Sequence, residues 1–212
     1  MARLDFIFDF GSPNAYYAYK VLPGILARTG AEMVIQPVLL GGLFKITGNQ
    51  PPMLAFAGVQ GKLDYEMLES KRFADKHQLN HFRFNTHFPV NTISIMRGLI
   101  AAQQLDCEKP YIDVVLSAMW EQSLKMDDAE VIAAVLKDGG LDADAILALI
   151  QTDPIKETLK RNTQAAADRG VFGIPTFFVG EEMFFGKDRL GQVEEELAQS
   201  NARCHQERDH AC

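Results

Sequence analysis

The chain has 212 residues, of which 47% are hydrophobic and 23% are charged, and its formal net charge is -7. This composition is typical of a globular protein with a substantial core, and the acidic balance without a run of lysine or arginine argues against a nucleic-acid partner. No apolar run reaches the roughly 18 residues that a membrane span needs, so we expect no membrane association.

The cysteines and the N-terminal segment indicate where the protein works. Three cysteines, Cys107, Cys204 and Cys212, form no Cys-x-x-Cys pair. The first apolar stretch contains an acid and is followed by no small-residue cleavage site, so we predict no signal peptide. An odd number of cysteines and a missing signal favour the reducing cytoplasm.

The first forty residues predict a strand, a helix and a second strand. Residues 3–9 are typical of a buried strand, and Ser12-Pro13 provide the N-cap and first-turn residues of a helix that ends at Gly30. Pro23-Gly24 is expected to kink or split this helix. Residues 32–38 predict the second strand, which gives a βαβ unit with a parallel pair of strands.

Helix signals dominate the middle of the chain, from 41 to 169. Leu39–Phe44 is interpreted as an apolar loop before this block, and Asp127 with Glu130 resembles a capping box. The predicted helices cover residues 65–77, 91–105, 110–124, 127–138, 143–151 and 153–169.

Strand signals return near the end of the chain. Residues 176–179 and 183–185 predict a hairpin, followed by a final helix at 190–198 and a flexible tail at 201–212. The order βαβ, helices, ββα predicts an α/β thioredoxin fold with a large all-helical insertion. We expect residues 1–40 and 170–200 to form a discontinuous thioredoxin-like domain, with residues 41–169 as the inserted helical domain.

Ser12 stands where the first strand turns into the first helix. Backbone N–H groups and the helix dipole favour an anion at such a point, and thioredoxin-like oxidoreductases place a reactive cysteine there. A serine cannot form a disulfide, but its hydroxyl can donate a hydrogen bond to a thiolate supplied from outside the chain. Helix capping alone is the ordinary role of such a serine.

Ile174-Pro175 leads into the third predicted strand. Proline is unusual there because it removes a ladder donor. A cis peptide bond would expose the backbone N–H and C=O of Ile174 to whatever lies beside Ser12, whereas an ordinary strand-entry proline is the simpler interpretation. Three nearby histidines, His77, His81 and His87, lack convincing ligand spacing, so we predict no metal site.

Several short segments, spread in order along most of the chain, carry a resemblance to a known family. They are DFGSP (9–13), PVLLGGLFK (37–45), GNQPP (48–52), FPVNT (88–92), GIPTF (173–177) and FGKDRL (185–190). Each segment alone is weak, but the ordered set resembles the 2-hydroxychromene-2-carboxylate isomerases. That family includes the kappa-class glutathione transferases and is related to DsbA-like disulfide oxidoreductases.

The resemblance implies that glutathione is the cofactor and assigns roles to matching positions. Ser12 would favour the thiolate of glutathione, and Asn49 would contact the tripeptide. The backbone of Ile174, before a cis Pro175, would pair with the cysteinyl main chain, and Asp188 would hold the γ-glutamyl amino group. Lys187 would contact glutathione through its backbone N–H. The family also has a lysine at the site, and either Lys62 or Gln60 would stand at its position.

The implied reaction is the isomerisation of a small aromatic-degradation intermediate between its ring-closed hydroxychromene carboxylate and its open hydroxybenzylidenepyruvate. Glutathione adds to the conjugated system, a bond rotates and the thiolate leaves, while the inserted helices and the 39–44 segment provide an apolar wall. The resemblance also implies a homodimer. The alternatives are a kappa-class-like glutathione transferase and a DsbA-like oxidoreductase or binding protein without redox cysteines.

Overall fold

The fold was examined in a computed structural model, which describes the backbone of residues 1–209 and the side chains of residues 1–203. The strands are β1 (Arg3–Phe8), β2 (Glu32–Pro37), β3 (Thr176–Val179) and β4 (Glu182–Phe185). The helices are α1 (Pro13–Thr29), α2 (Leu40–Thr47), α3 (Pro52–Ala55), α4 (Lys62–Lys76), α5 (Ile93–Gln104), α6 (Glu108–Trp120), α7 (Ala129–Asp138), α8 (Ala143–Leu149), α9 (Asp153–Asp168) and α10 (Leu190–Asp209), with a 3-10 turn at Lys187–Arg189 before α10.

In the described part of the chain, the four strands form one mixed sheet in the order β2-β1-β3-β4. β1 pairs in parallel with β2 and antiparallel with β3, and β3 pairs antiparallel with β4. Phe6 on β1 lies opposite Ile35 and Phe177, which places the phenylalanine-rich strand at the centre. Helices α2 to α9 lie between β2 and β3 in chain order, which confirms the α/β fold with a helical insertion.

The insertion packs against the sheet. Helices α5 and α9 both contact β2, and Trp120 at the end of α6 donates a hydrogen bond of 2.8 Å from Nε1 to the carbonyl oxygen of Phe10. Trp120 and Tyr111, which lie on the same helix, are both fully buried. The domain boundaries at 40/41 and 169/170 remain a prediction.

Helix α1 runs unbroken through Pro23, so Pro23-Gly24 does not split it, while a kink there stays a prediction. Two other local predictions were wrong. Leu39–Phe44 is not a loop, because α2 begins at Leu40, where the backbone N–H donates to the Asp9 carboxylate over 2.7 Å. Because Asp9 lies far from α2 in sequence, its hydrogen bond to the start of α2 leaves no signal in the residues around Leu40. The N-cap of α7 is Asp128, not Asp127, and its side chain accepts hydrogen bonds from the first turn.

The last helix is longer than the sequence pattern predicted, since α10 continues past Ala198 to Asp209. Asn201 fixes this extension to the sheet domain: its Oδ1 accepts a hydrogen bond of 2.6 Å from the Ala2 N–H, and its Nδ2 donates to the Thr29 carbonyl oxygen over 2.7 Å. Of the predicted flexible tail, residues 210–212 lie outside the described residues. Over the backbone that is described, no helix combines the length and the apolar character needed to cross a membrane.

Candidate active site

Ser12 caps the first helix, just beyond the C-terminal end of the central strand β1. Its backbone is extended, with φ -96° and ψ 115°, and its Oγ accepts a hydrogen bond of 3.2 Å from the Ala15 N–H. The end of β1 delivers this residue to the N-terminus of α1, where unpaired N–H groups and the helix dipole create a positive potential. The local geometry is therefore suited to an anion.

Ile174 brings the second half of the site to Ser12. The Ile174–Pro175 peptide bond is cis, and the Ser12 hydroxyl donates a hydrogen bond of 2.9 Å to the Ile174 carbonyl oxygen. The two residues are 162 positions apart in the chain, so only the fold joins them. Ser12 is buried, with 4% of the residue exposed.

The two backbone groups of Ile174 differ in their partners. The sequence suggested that both would face a ligand beside Ser12, but the carbonyl oxygen accepts from Ser12 itself. Among residues 1–203, whose side chains the structure describes, the Ile174 N–H donates no hydrogen bond. A hydroxyl has one proton to donate, so Ser12 must turn away from Ile174 before it can donate to another atom.

Asp9 is a buried carboxylate directly behind Ser12, and the sequence reasoning gave it no role. It is fully buried, and its backbone carbonyl oxygen accepts a hydrogen bond of 3.2 Å from the Ser12 N–H. Its side chain accepts from the Gly11 N–H at 2.8 Å, the Leu40 N–H at 2.7 Å and the Thr92 hydroxyl at 3.1 Å. Burial raises the pKa of the Asp9 carboxyl above its ordinary value, although these hydrogen bonds act in the opposite direction.

Asn49 connects the end of α2 to the segment that precedes the cis proline. Its Nδ2 donates a hydrogen bond of 2.7 Å to the Phe172 carbonyl oxygen, and its Oδ1 accepts one of 2.8 Å from the Gln50 N–H. Asn49 is exposed, so the outer side of its amide remains accessible. The structure therefore places Asn49 near Ile174 through the intervening Gly173.

Lys187 and Asp188 reach the site from the other side of the cis proline. The Gly186 N–H donates a hydrogen bond of 2.9 Å to the Pro175 carbonyl oxygen, which fixes the start of the following 3-10 turn. The Asp188 side chain is 62% exposed, whereas that of Lys187 is 4% exposed. The Lys187 ammonium lies 3.3 and 3.4 Å from the two Asp188 carboxylate oxygens.

The burial of Lys187 was not expected, since only its backbone N–H was assigned a role. Its Nζ lies 5.4 Å from the centre of the Phe73 ring, in a cation–π contact. This contact links the 3-10 turn to α4 in the insertion. No sequence signal could have found it, because the Lys187 side chain looks like an ordinary surface lysine until Phe73 covers it.

The Lys62 side chain makes its contacts near the start of α4. Its ammonium pairs with Glu66 on the same helix and lies 5.1 Å from the Phe56 ring centre and 5.9 Å from that of Tyr65. All of these contacts lie within the insertion. Gln60, the alternative for the same role, is exposed in the turn before α4.

An aromatic cluster lies between α1 and the insertion. Tyr17, five positions after Ser12, packs against Phe73 with 5.6 Å between ring centres and against Phe82 at 4.6 Å. Phe82 in turn stacks on Trp120 at 5.9 Å. The sequence predicted an apolar wall from the inserted helices, but these rings are scattered along the chain and only the fold joins them.

Among the described residues, no group of three or more His, Cys, Asp or Glu side chains is arranged to hold a metal ion. His77, one of the three histidines considered in the sequence, packs against the Phe73 ring at 4.5 Å. Burial and the neighbouring charge of Lys76 lower the pKa of His77.

The match to a family model defines the class of protein. The description of that family is a DSBA-like thioredoxin domain, and it matches residues 3–198. The chain therefore belongs to the DSBA-like thioredoxin family. Its three cysteines stand at positions 107, 204 and 212, so no cysteine lies at or near Ser12.

Individual relatives identify a narrower group. The chain is 31% identical to a 2-hydroxychromene-2-carboxylate isomerase from Pseudomonas sp. (strain C18), over 90% of this chain and 88% of the relative. It therefore belongs to the family of 2-hydroxychromene-2-carboxylate isomerases. It is also 28% identical to the glutathione S-transferase kappa 1 of Rattus norvegicus, over 88% of this chain and 87% of that one.

A solved structure agrees with this assignment. The structure of a selenomethionine 2-hydroxychromene-2-carboxylate isomerase superimposes with a TM-score of 0.80 at 28% identity, covering 98% of both chains. The agreement extends over the sheet and the helical insertion together.

Proposed function

We propose that the protein is a glutathione-dependent isomerase of the 2-hydroxychromene-2-carboxylate type. The observation that carries this proposal is the Ser12 hydroxyl at the N-terminus of α1, 2.9 Å from the carbonyl oxygen that precedes a cis proline. A thioredoxin-like site of this geometry, without a cysteine, is suited to a sulfur that the chain itself does not supply. Relatives named as such isomerases and as glutathione transferases support the proposal.

Free backbone and charged groups fit the chemistry of a γ-glutamyl tripeptide. The Ile174 N–H has no protein acceptor among the described residues, so it can donate to a main-chain carbonyl of an extended ligand, as in an added strand. The exposed Asp188 carboxylate can accept hydrogen bonds from the γ-glutamyl ammonium. The accessible side of the Asn49 amide can contact the peptide between these points.

Ser12 has a specific task in this arrangement. Its hydroxyl turns from the Ile174 carbonyl oxygen to the bound sulfur and donates a hydrogen bond to the thiolate. The positive potential at the start of α1 acts in the same direction. Since a free thiol has a pKa of about 8.5, a decrease of one unit increases the thiolate fraction several-fold near neutral pH.

Bound glutathione supplies the nucleophilic sulfur that adds to the conjugated substrate and later leaves it, which permits the bond rotation. The chain orients this sulfur through Ser12 and the peptide through Ile174. The partly buried Phe73 and Phe82, which pack on the buried Tyr17, are suited to cover the aromatic ring of the substrate and to exclude water from it.

A kappa-class-like glutathione transferase is the second candidate, because relatives with that name match most of the chain. The two activities are distinguished by the fate of glutathione. An isomerase regenerates it in every turnover, whereas a transferase consumes it in a stable conjugate. A thiol–disulfide oxidoreductase is disfavoured because no cysteine stands at or near position 12.

The test is turnover of the hydroxychromene carboxylate by the purified chain, with and without glutathione. We expect isomerisation that requires glutathione and leaves its concentration unchanged. Isomerisation at the same rate without glutathione would contradict the cofactor, and accumulation of a glutathione conjugate would favour the transferase. A parallel calorimetric titration measures whether glutathione binds at all.

Assembly and location are part of the same proposal. We also propose a homodimer, as the family resemblance implies, and a location in the reducing cytoplasm, which suits the odd number of cysteines. Light scattering after size-exclusion chromatography measures the mass of the particle in solution. A mass of one chain at assay concentration would contradict the dimer.

A further inference from the structure

Asp9 is a charged group that the proposed reaction does not yet use. It is one of the few fully buried charged side chains of the described structure, and it is separated from Ser12 by only two residues. Within residues 1–203, no basic side chain forms an ion pair with it. A buried carboxylate without a basic partner is expensive to maintain, which points to a role beyond packing.

Three helices direct their N-terminal ends at this carboxylate. Gly11 lies before the Ser12 cap of α1, Leu40 is the first residue of α2, and Thr92 is the N-cap residue of α5. Each donates a hydrogen bond to Asp9, from two backbone N–H groups and one hydroxyl. Thr92 makes no capping bond to its own helix and instead donates to Asp9.

The two N–H groups can only donate, so both Asp9 oxygens act as acceptors, which favours the ionised carboxyl. The positive ends of three helix dipoles therefore face an anion that belongs to the protein. A thiolate at Ser12 would be a second negative charge in the same buried region. Like charges that share a site disfavour each other, so Asp9 opposes the thiolate that Ser12 favours.

We infer that Asp9 is a positioning residue that joins the N-terminal ends of α1, α2 and α5 and whose charge limits how strongly the site stabilises a thiolate. This inference rests on the proposed function. The nucleophilicity of a thiolate falls as its thiol becomes more acidic, and the best attacking thiol has a pKa near the ambient pH. The sulfur must first add to the substrate and then leave it, so an intermediate thiol pKa, set by Ser12 and Asp9 acting in opposite directions, suits both steps.

The experiment compares the pKa of bound glutathione in the wild-type chain and in Asp9→Asn, followed by the ultraviolet absorbance of the thiolate during a pH titration. Asparagine keeps an oxygen for the Gly11 N–H but removes the charge. We expect the pKa of the bound thiol to fall by on the order of one unit, the size of a Coulomb interaction between unit charges about 10 Å apart at an effective dielectric constant of about 20.

Thr92→Val is the matched control. It removes one hydrogen bond to Asp9 but keeps the charge, so we expect a lower melting temperature with a wild-type thiol pKa. A purely structural Asp9 predicts that both variants lower the melting temperature and leave the thiol pKa unchanged. That result would overturn the inference.

A wild-type measurement covers the case in which Asp9→Asn does not fold. The carboxyl resonance of Asp9, assigned by its displacement in Thr92→Val, is followed by NMR with glutathione and with S-methylglutathione. Because coupling between two titrating groups is reciprocal, we expect the Asp9 resonance to show a further inflection at the pKa of the bound thiol with glutathione and none there with S-methylglutathione. Identical titrations would overturn the inference. No binding of glutathione to the wild-type chain would instead overturn the proposed function, and the inference with it.

Discussion

The candidate site combines residues next to the central strands β1 and β3 with residues from the start of the insertion, and the two groups differ in burial. Next to the central strands, Ser12, Ile174 and Asp9 are buried and held by hydrogen bonds between distant parts of the chain. In the insertion, Asn49 is exposed and Lys62 pairs with Glu66 on the surface of its own helix. Under the proposed function, the comparison places the chemistry on the buried side, while the insertion would add contacts to the ligand.

Ser12→Ala gives the largest expected effect. Loss of the hydrogen bond to the sulfur should lower kcat/KM by about 100-fold or more, as for other donors that stabilise charge in a reaction. Stability should fall by only about 1 kcal/mol from the lost cap. Asp142→Ala removes the cap of α8 in the same way, since Asp142 accepts from the Ala145 N–H at 3.0 Å, and it should keep full activity. Equal activity losses in the two variants would contradict a role for Ser12 in the reaction.

Asp188→Asn should have the next largest effect. A charge-assisted hydrogen bond is worth about 1.5–3 kcal/mol, so we expect the KM for glutathione to rise at least about tenfold with kcat almost unchanged. Lys187→Met is the companion variant, because it removes the partner of Asp188 but leaves the carboxylate free for the ligand. Steady-state kinetics with varied glutathione measure both. An unchanged KM in Asp188→Asn would remove this residue from the binding site.

Asn49→Ala should have a moderate effect. It breaks the hydrogen bond to the Phe172 carbonyl oxygen and so loosens the segment before the cis proline. Losing one neutral hydrogen bond costs about 1 kcal/mol. We therefore expect glutathione affinity, measured by calorimetry, to fall about fivefold. Asn49→Asp keeps the acceptor for Gln50 but removes the donor, so it should behave like the alanine variant.

Lys62→Ala should have the smallest effect. Its ion pair with Glu66 is partly exposed, and pairs of this kind contribute about 0.3–0.5 kcal/mol to a helix. We expect the KM for glutathione to change by less than about twofold, which is less than one weak hydrogen bond would contribute. A tenfold rise would place the Lys62 ammonium on the ligand and would contradict the division between the two regions.

The sequence predicted the sheet and the start of α1 because their signals are local. The apolar strand before Ser12-Pro13 and the X-Pro entry to β3 carry enough information to place the elements, and the bond before Pro175 is cis as the fold context suggested. The role proposed for Ser12 rests on its position in that layout, where thioredoxin-like oxidoreductases carry a reactive cysteine.

The rest of the site depends on contacts that no local pattern contains. Asp9 supplies the cap of α2 from 31 positions away, so the apolar 39–44 segment with its two glycines was interpreted as a loop. Lys187 is buried by Phe73, a residue of a helix far away in sequence. Asn201 extends α10 through partners at the other end of the chain.

The most direct test of the account is the acidity of glutathione when it is bound beside Ser12. The pKa of the bound thiol is measured by thiolate absorbance in the wild-type chain and in Ser12→Ala. The account predicts a value clearly below the free thiol's value of about 8.5 in the wild type and a return towards that value in the variant. A bound thiol that titrates like free glutathione in both proteins would contradict it.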